Sequence, residues 1–242
     1  MCDTCGCQLH DHHQHDTKVV EVNRSLLAAN QKQAHANRHH IEAMGALAIN
    51  MISSPGSGKT TLLERTIEAL KDTVKIGVIE GDIETERDAE RIRAKGVPAV
   101  QLTTGGACHL DAPMVHGGLH VLEHFAKGQG FDLLFIENVG NLVCPATFDL
   151  GEHQRVVLLS VPEGSDKPAK YPATFRSADL VLITKTDLLP YFDFTVEEAS
   201  KEALLLKPDQ QIIALSATSG DGFDRWLDYL RTLLNSQLPH QH

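Results

Sequence analysis

The segment Ser53-Ser54-Pro55-Gly56-Ser57-Gly58-Lys59-Thr60-Thr61 follows an apolar run and leads into LLERTIEAL, a stretch of helix formers. Glycines at 56 and 58 let backbone N–H groups close on phosphate oxygens, and the helix N-terminus behind them adds a favourable dipole. In such a loop the Lys59 ammonium neutralises the β- and γ-phosphates and the Thr60 hydroxyl ligates Mg²⁺, with Ser57 and Thr61 lining the cradle. The first position departs from the general pattern, since Ser53 stands where a glycine is usual. A plain glycine-rich turn explains Gly-x-Gly-Lys-Thr after a strand poorly. A nucleoside triphosphate site is therefore the first expectation.

Thr184-Lys185-Thr186-Asp187 matches the Asn/Thr-Lys-x-Asp pattern of guanine-specific GTPases. A carboxylate at Asp187 accepts from the guanine N1 and N2 donors, which adenine lacks, while the Lys185 stem packs on the base. Alone, the tetrapeptide equally suits a strand ending in solvated charge. Behind a phosphate loop, and ahead of a base-backing loop containing Ser216 and Ala217, it points to GTP. Two further strands end in acid: Glu137, three residues before Gly140, and Asp82 in VIEGDIETERD. Each is a candidate for Mg²⁺ contact or for positioning the attacking water, and the sequence does not divide the roles between them. No glutamine placed to orient water and no arginine finger is evident, so slow intrinsic hydrolysis is expected.

Cysteines at 2, 5, 7, 108 and 144 are odd in number and suit thiolate or metal chemistry better than disulfides. Cys108, His109 and Cys144 make three soft or borderline ligands, one short of a tetrahedral Zn²⁺ set and compatible with square-planar Ni²⁺ given a fourth donor. Both cysteines would equally serve as small core residues. His116, His120 and His124 recur at helical spacing on one face; a second metal site is one reading, and partly exposed helix histidines the plainer one. The same caution covers His35, His39 and His40.

The elements that must hold these groups are legible as seven apolar, β-branched runs: ALAINMIS, KIGVIEG, PAVQLT, DLLFIEN, RVVLLSV, DLVLITK and QIIALSA. Continuous apolar runs alternating with helical stretches predict an α/β fold, with a mostly parallel sheet flanked by helices. Three parts are expected. Residues 1–22 read as a mobile Cys/His-rich metal-binding tail, 23–46 as a leading helix capped near Asn23, and 47–242 as a P-loop GTPase domain. A formal net charge of -10 argues against a nucleic-acid surface. No apolar run approaches the ~20 residues of a membrane span and no secretory signal is visible, so the chain is expected in the cytoplasm.

Taken together, SSPGSGKTTLLE, IEGDIETERDAERI, CHLDA, ENVGNLVCP, ITKTDLL and the opening Cys-x-x-Cys-Gly-Cys give a chain that resembles the HypB family of hydrogenase nickel-incorporation GTPases along nearly its whole length. The resemblance implies a metallochaperone that binds and hydrolyses GTP, forms a GTP-dependent homodimer, and helps insert Ni²⁺ into the large subunit of [NiFe] hydrogenase. A companion nickel/zinc accessory protein of the HypA type is an implied partner. It also implies that Cys108, His109 and Cys144 form a Ni²⁺ or Zn²⁺ site near the dimer interface, and that Ser53 is the family's form of the loop. Cys2, Cys5 and Cys7 match the tight nickel motif of some members, where three thiolates and the terminal amine surround the ion once Met1 is removed. His10, His12, His13 and His15 form only a short tract beside it. Rival readings are a nickel/zinc storage protein with a regulatory nucleotide site, a urease-type nickel-insertion GTPase, and a small-molecule kinase, against which Asp187 counts.

Overall fold

A computed structural model describes residues 12–83, 86–126 and 128–237. The chain runs α1 (His12–Ala43), β1 (Leu47–Ser53), α2 (Lys59–Leu70), β2 (Ile76–Asp82), α3 (Arg87–Ala94), β3 (Ala99–Thr103), α4 (Ala112–Ala126) and β4 (Leu133–Glu137). After a 3₁₀ turn at Cys144–Thr147 come β5 (Gln154–Ser160), α5 (Lys167–Lys170), α6 (Pro172–Ser177) and β6 (Leu180–Thr184). A second 3₁₀ turn at Thr186–Tyr191 leads to α7 (Val196–Leu206), β7 (Gln211–Ala214) and α8 (Phe223–Gln237).

All seven expected strands are present, in one sheet ordered β3-β2-β4-β1-β5-β6-β7 with every neighbouring pair parallel. Their alternation feeds helical layers on both faces. In β1, Leu47, Ile49 and Met51 pack with Leu62 and Ile67 of α2 and Trp226 and Leu230 of α8, while Ala48 packs with Ile41 of α1 and Leu119 and Leu122 of α4. A third cluster, including Val157, Val181, Phe175 and Ala199, closes the β5–β6 end. Burying each large apolar side chain contributes roughly 1.5–3 kcal/mol, which explains why these strands carry no polar face.

The leading helix departs from expectation at its start: it begins at His12 rather than near Asn23, so residues 12–22 are helical instead of a mobile tail. No proline or glycine lies between Gly6 and Gly45 to stop it. The helix is held to the domain by buried polar side chains. Asn37 Nδ2 donates to the Ala112 and Leu150 carbonyls at 2.8 and 3.0 Å. Asn30 donates to the Asp149 carbonyl and accepts from Ala112 N, both at 2.8 Å. These contacts fasten α1 to the first turn of α4. Cys2, Cys5, Cys7 and His10 lie outside the described residues; among those described, no helix is long and apolar enough to cross a membrane.

Candidate functional site

In a parallel sheet the strand ends that carry loops to one edge form a crevice where the order reverses. Here β1 delivers the 53–61 loop, β2 delivers Asp82, and β4, lying between them, delivers Glu137. They line one cleft of about 530 Å³ together with Glu80, Asp88, Arg91, Asn138, Gly140 and Lys185. Gly56 and Gly58 both take positive φ, at 74° and 95°, and Gly58 is the residue that opens α2. A side chain at either would be strained, which is why the loop needs glycine there.

Ser53 has a definite task. Lys59 Nζ donates to its hydroxyl at 2.8 Å and Ser57 Oγ donates to the same oxygen, so the buried Ser53 gives the Lys59 ammonium a resting partner inside the loop. Thr60 Oγ1 donates to Glu137 Oε1 at 3.0 Å, whereas Glu137 Oε2 has no donor. A hydroxyl and a carboxylate oxygen so placed fit a hard cation with oxygen ligands. Asp82 stands at the rim of the cleft and accepts from the N–H of Ile83 at 2.7 Å.

Glu80 was not anticipated. It lies in β2 beside Glu137 of β4, both almost fully buried. Burial, and then the Glu137 charge, push the Glu80 carboxyl well above the ordinary range; burial also raises Glu137, against the pull of Lys59 and Thr60. The signal was a lone acid inside the run KIGVIEG, after the apolar stretch that follows Lys75. Arg91 was also missed; it lines the cleft but is tied to Glu64 at 2.7 Å and Asp88 at 3.1 Å.

On the other side of the loop, Lys185 takes φ 61°, the left-handed region, and its Nζ donates to the Gly56 carbonyl at 2.6 Å. Thr184 Oγ1 donates to the Ser57 carbonyl at 2.8 Å. Ser216 Oγ donates to Asp187 Oδ1 at 2.5 Å and so orients the carboxylate. Lys185, Ser216 and Ala217 line a crevice shared with Gly58 and Thr61 of the phosphate loop. That arrangement offers a carboxylate acceptor and an aliphatic stem beside a phosphate cradle.

Beyond the cleft, Cys108 and Cys144 meet across 36 residues, with their sulfurs 3.0 Å apart and His109 Nδ1 3.9 Å from Cys108 Sγ. The three ligand atoms lie within 4.8 Å of one another. The thiol–thiol hydrogen bond to Cys144 raises the Cys108 pKa, so a metal arriving here displaces a proton. His109 stacks on Phe148 at 4.1 Å between ring centroids, and burial lowers its imidazole pKa, against the pull of Asp111, which favours the ligating form. The donor set is open at one position and suits a borderline divalent ion.

Two asparagines join this cluster to the cleft. Buried Asn138, next to Glu137, accepts from the N–H of Leu110, next to His109, at 3.1 Å. Asn141 Nδ2 donates to the Cys108 carbonyl at 3.1 Å. Gly140 lies so close to the phosphate loop that a Cβ there would meet Pro55 at 3.0 Å. The segment from Glu137 to Cys144 thus touches the loop at one end and carries one thiol of the Cys108–Cys144 pair at the other.

The family description "CobW/HypB/UreG, nucleotide-binding domain" matches residues 47–214. The chain is 50% identical over 222 residues to the hydrogenase maturation factor HypB of Azotobacter chroococcum, covering 92% of this chain and 72% of that one. It is 43% identical to the hydrogenase/urease maturation factor HypB of Helicobacter pylori, covering 89% and 87%. A crystal structure of Helicobacter pylori HypB in complex with nickel superposes with a TM-score of 0.83 at 41% identity, covering 88% of this chain and 99% of that one.

Proposed function

Because the chain belongs to the CobW/HypB/UreG family of nucleotide-binding proteins, we propose that it is a GTP-hydrolysing nickel metallochaperone for [NiFe] hydrogenase maturation. Relatives named as hydrogenase maturation factors support the process, and the nickel complex of a structural relative supports the cargo. The hydrogenase large subunit is the proposed recipient, and a HypA-type nickel/zinc protein the proposed companion.

Each step falls to a residue of this chain. Asp187 reads the guanine edge while the Lys185 stem covers the base. Lys59 leaves Ser53 for the β- and γ-phosphates and neutralises charge as the bond to the leaving phosphate stretches. Thr60 and Glu137 would hold Mg²⁺, which would neutralise charge between the phosphates. Asp82, at the rim, is the proposed positioner of the attacking water. Arg91 is engaged by Glu64 and Asp88, so turnover is slow without help.

Cys108, His109 and Cys144 carry Ni²⁺ or Zn²⁺ in the G domain, and Cys2, Cys5 and Cys7 form a separate square-planar nickel site. Val143, 61% exposed beside Cys144, suits the face on which two GTP-loaded copies meet, where a second copy would complete the internal site. The observation that carries the proposal is the Asn138–Leu110 hydrogen bond, because it ties the segment facing the phosphates to the loop bearing the metal ligands.

The test is a nickel titration of the purified full chain with GDP and with a non-hydrolysable GTP analogue. Coupling of about 1–3 kcal/mol, or roughly 5–150-fold, is expected in the G-domain affinity, and nickel must shift nucleotide affinity by the same factor. Equal nickel affinity in both nucleotide states would leave a metal store whose nucleotide site does not control its metal.

A further inference from the structure

The histidines of α4 do not stand alone. Helix α1 brings His40 against His116 and His120, with ring centroids 4.9 Å apart for His40–His120, 4.6 Å for His116–His120 and 6.2 Å for His40–His116. One nitrogen from each ring can be chosen so that all three lie within 4.8 Å of one another. Glu123, one turn beyond His120, joins them: its Oε1 is 3.0 Å from His40 Nε2 and its Oε2 is 3.6 Å from His120 Nδ1. Three imidazoles and a carboxylate therefore converge where α1 crosses α4.

We infer that His40, His116, His120 and Glu123 form a further divalent transition-metal site, for Zn²⁺ or Ni²⁺, that bridges α1 and α4. Imidazole with one carboxylate is a donor set for such borderline ions. The spacing supports it. Two nitrogens each ~2.05 Å from a tetrahedrally bound ion lie ~3.3 Å apart, and His116 Nε2 and His120 Nε2 are 3.3 Å apart. Residues at i and i+4 on a helix project from one face, so α4 alone presents a two-nitrogen claw and α1 supplies the third arm.

The protein's own contacts satisfy the cluster badly. His116 Nδ1 is buried with no hydrogen-bond partner and, with Nε2 as the ligand atom, stays unpaired when an ion binds, so it does not fix the ring. Its Nε2 faces another imidazole nitrogen. A cation accepting one lone pair from each ring would order both rings and use the Glu123 charge that already lies between His40 and His120. The site is reachable, since the His120 side chain is 58% exposed. It shares no ligand with the Cys108, His109 and Cys144 cluster, although α4 begins three residues after His109. An ion here would pin the helix whose N-terminal end leads toward Cys2, Cys5 and Cys7.

The test uses the full chain with Cys2, Cys5, Cys7, Cys108 and Cys144 replaced by Ser, which removes the thiolate sites, and Co²⁺ as a visible probe with Zn²⁺ as competitor. One Co²⁺ should bind with a ligand-field band but no thiolate charge-transfer band, and Zn²⁺ should displace it. His40→Gln and His120→Gln, made separately, should each weaken that binding roughly tenfold or more, and Glu123→Gln should weaken it as well. Circular dichroism identifies any variant that has lost its fold, in which case the other histidine variant carries the test. Absence of Co²⁺ binding, or binding that neither histidine variant changes, overturns the site; the second result would place the ion elsewhere, as in the tract His10–His15.

Discussion

Glu80 and Glu137 are register partners across the parallel β2–β4 pair, two acids side by side in the sheet with side chains 2% and 6% exposed. Glu80 Oε1 and Glu137 Oε2 each lack a donor, and Glu80 is held well above the ordinary carboxylate range by burial and by Glu137. Before a cation and phosphates arrive, the pair is a local cost of the fold.

Glu80→Gln is therefore expected to stabilise the nucleotide-free protein at neutral pH. The folded state holds the Glu80 proton more tightly than the unfolded chain does. This favourable contribution is full below the unfolded pKa and is lost as pH rises through the raised folded value. Each kcal/mol relieved would appear as about 2–4 °C in Tm. Thermal melts with and without the substitution should diverge as pH rises; a lower Tm for the variant at neutral pH would show that the buried acid pair is no cost to the fold.

Lys59→Ala should reduce GTP turnover by roughly 10²–10³-fold or more, because the ammonium is the phosphate-facing cation that Ser53 holds in reserve. The fold should survive, since Ser53 and Ser57 keep their own hydrogen bond. Phosphate-release assays on both proteins decide it. Undiminished turnover would remove Lys59 from the chemistry.

Asp187→Asn should lower GTP affinity by roughly a hundredfold or more and transfer preference toward xanthosine triphosphate. The amide supplies one donor and one acceptor, which matches the second carbonyl of xanthine and leaves the guanine N2 donors facing another donor. Competition binding among GTP, ATP and XTP reads the change. If the native chain turns over ATP and GTP equally, the base assignment fails.

Asn138→Ala should separate the two sites while leaving each chemically intact. Its side chain is the acceptor for Leu110 N and lies one residue from Glu137, so the ~5–150-fold nucleotide effect on nickel affinity should collapse toward unity. Some stability is lost with the buried hydrogen bonds, about 1–3 kcal/mol. Paired nickel titrations in GDP and GTP analogue are the measurement. Coupling that persists would route it through Asn141 or Gly140 instead.

A chain beginning at Thr17 should lose the thiolate-to-nickel absorption of the N-terminal site and keep the metal bound through Cys108, His109 and Cys144. The cut falls inside α1, but the residues that fasten the helix, Asn30 and Asn37, remain. The same absorption and affinity in the shortened chain would dismiss Cys2, Cys5 and Cys7 as the nickel ligands.

The groups whose chemistry depends on neighbours in the chain were readable from the residues alone. Gly56, Gly58, Lys59 and Thr60 lie on one continuous loop, and Lys185 with Asp187 on another, so their spacing already fixes their proximity. The seven strands were readable because both faces of a parallel sheet are buried and each run must be apolar throughout. The start of α1 was misread, since polar residues without a breaker do not mark where a helix stops.

Tertiary structure alone decided what distant segments do together. Glu80 becomes a pair with Glu137 only through strand register, and register is a property of two strands at once. Cys108 meets Cys144 across 36 residues because the loops after β3 and β4 are folded to the same edge of the sheet. His116 and His120 showed their helical spacing in the sequence, but His40 joins them because the buried asparagines of α1 fasten it along α4. Local pattern sets which atoms a segment can offer; packing sets which offers coincide, because long-range contacts form only where buried apolar and polar groups are satisfied together.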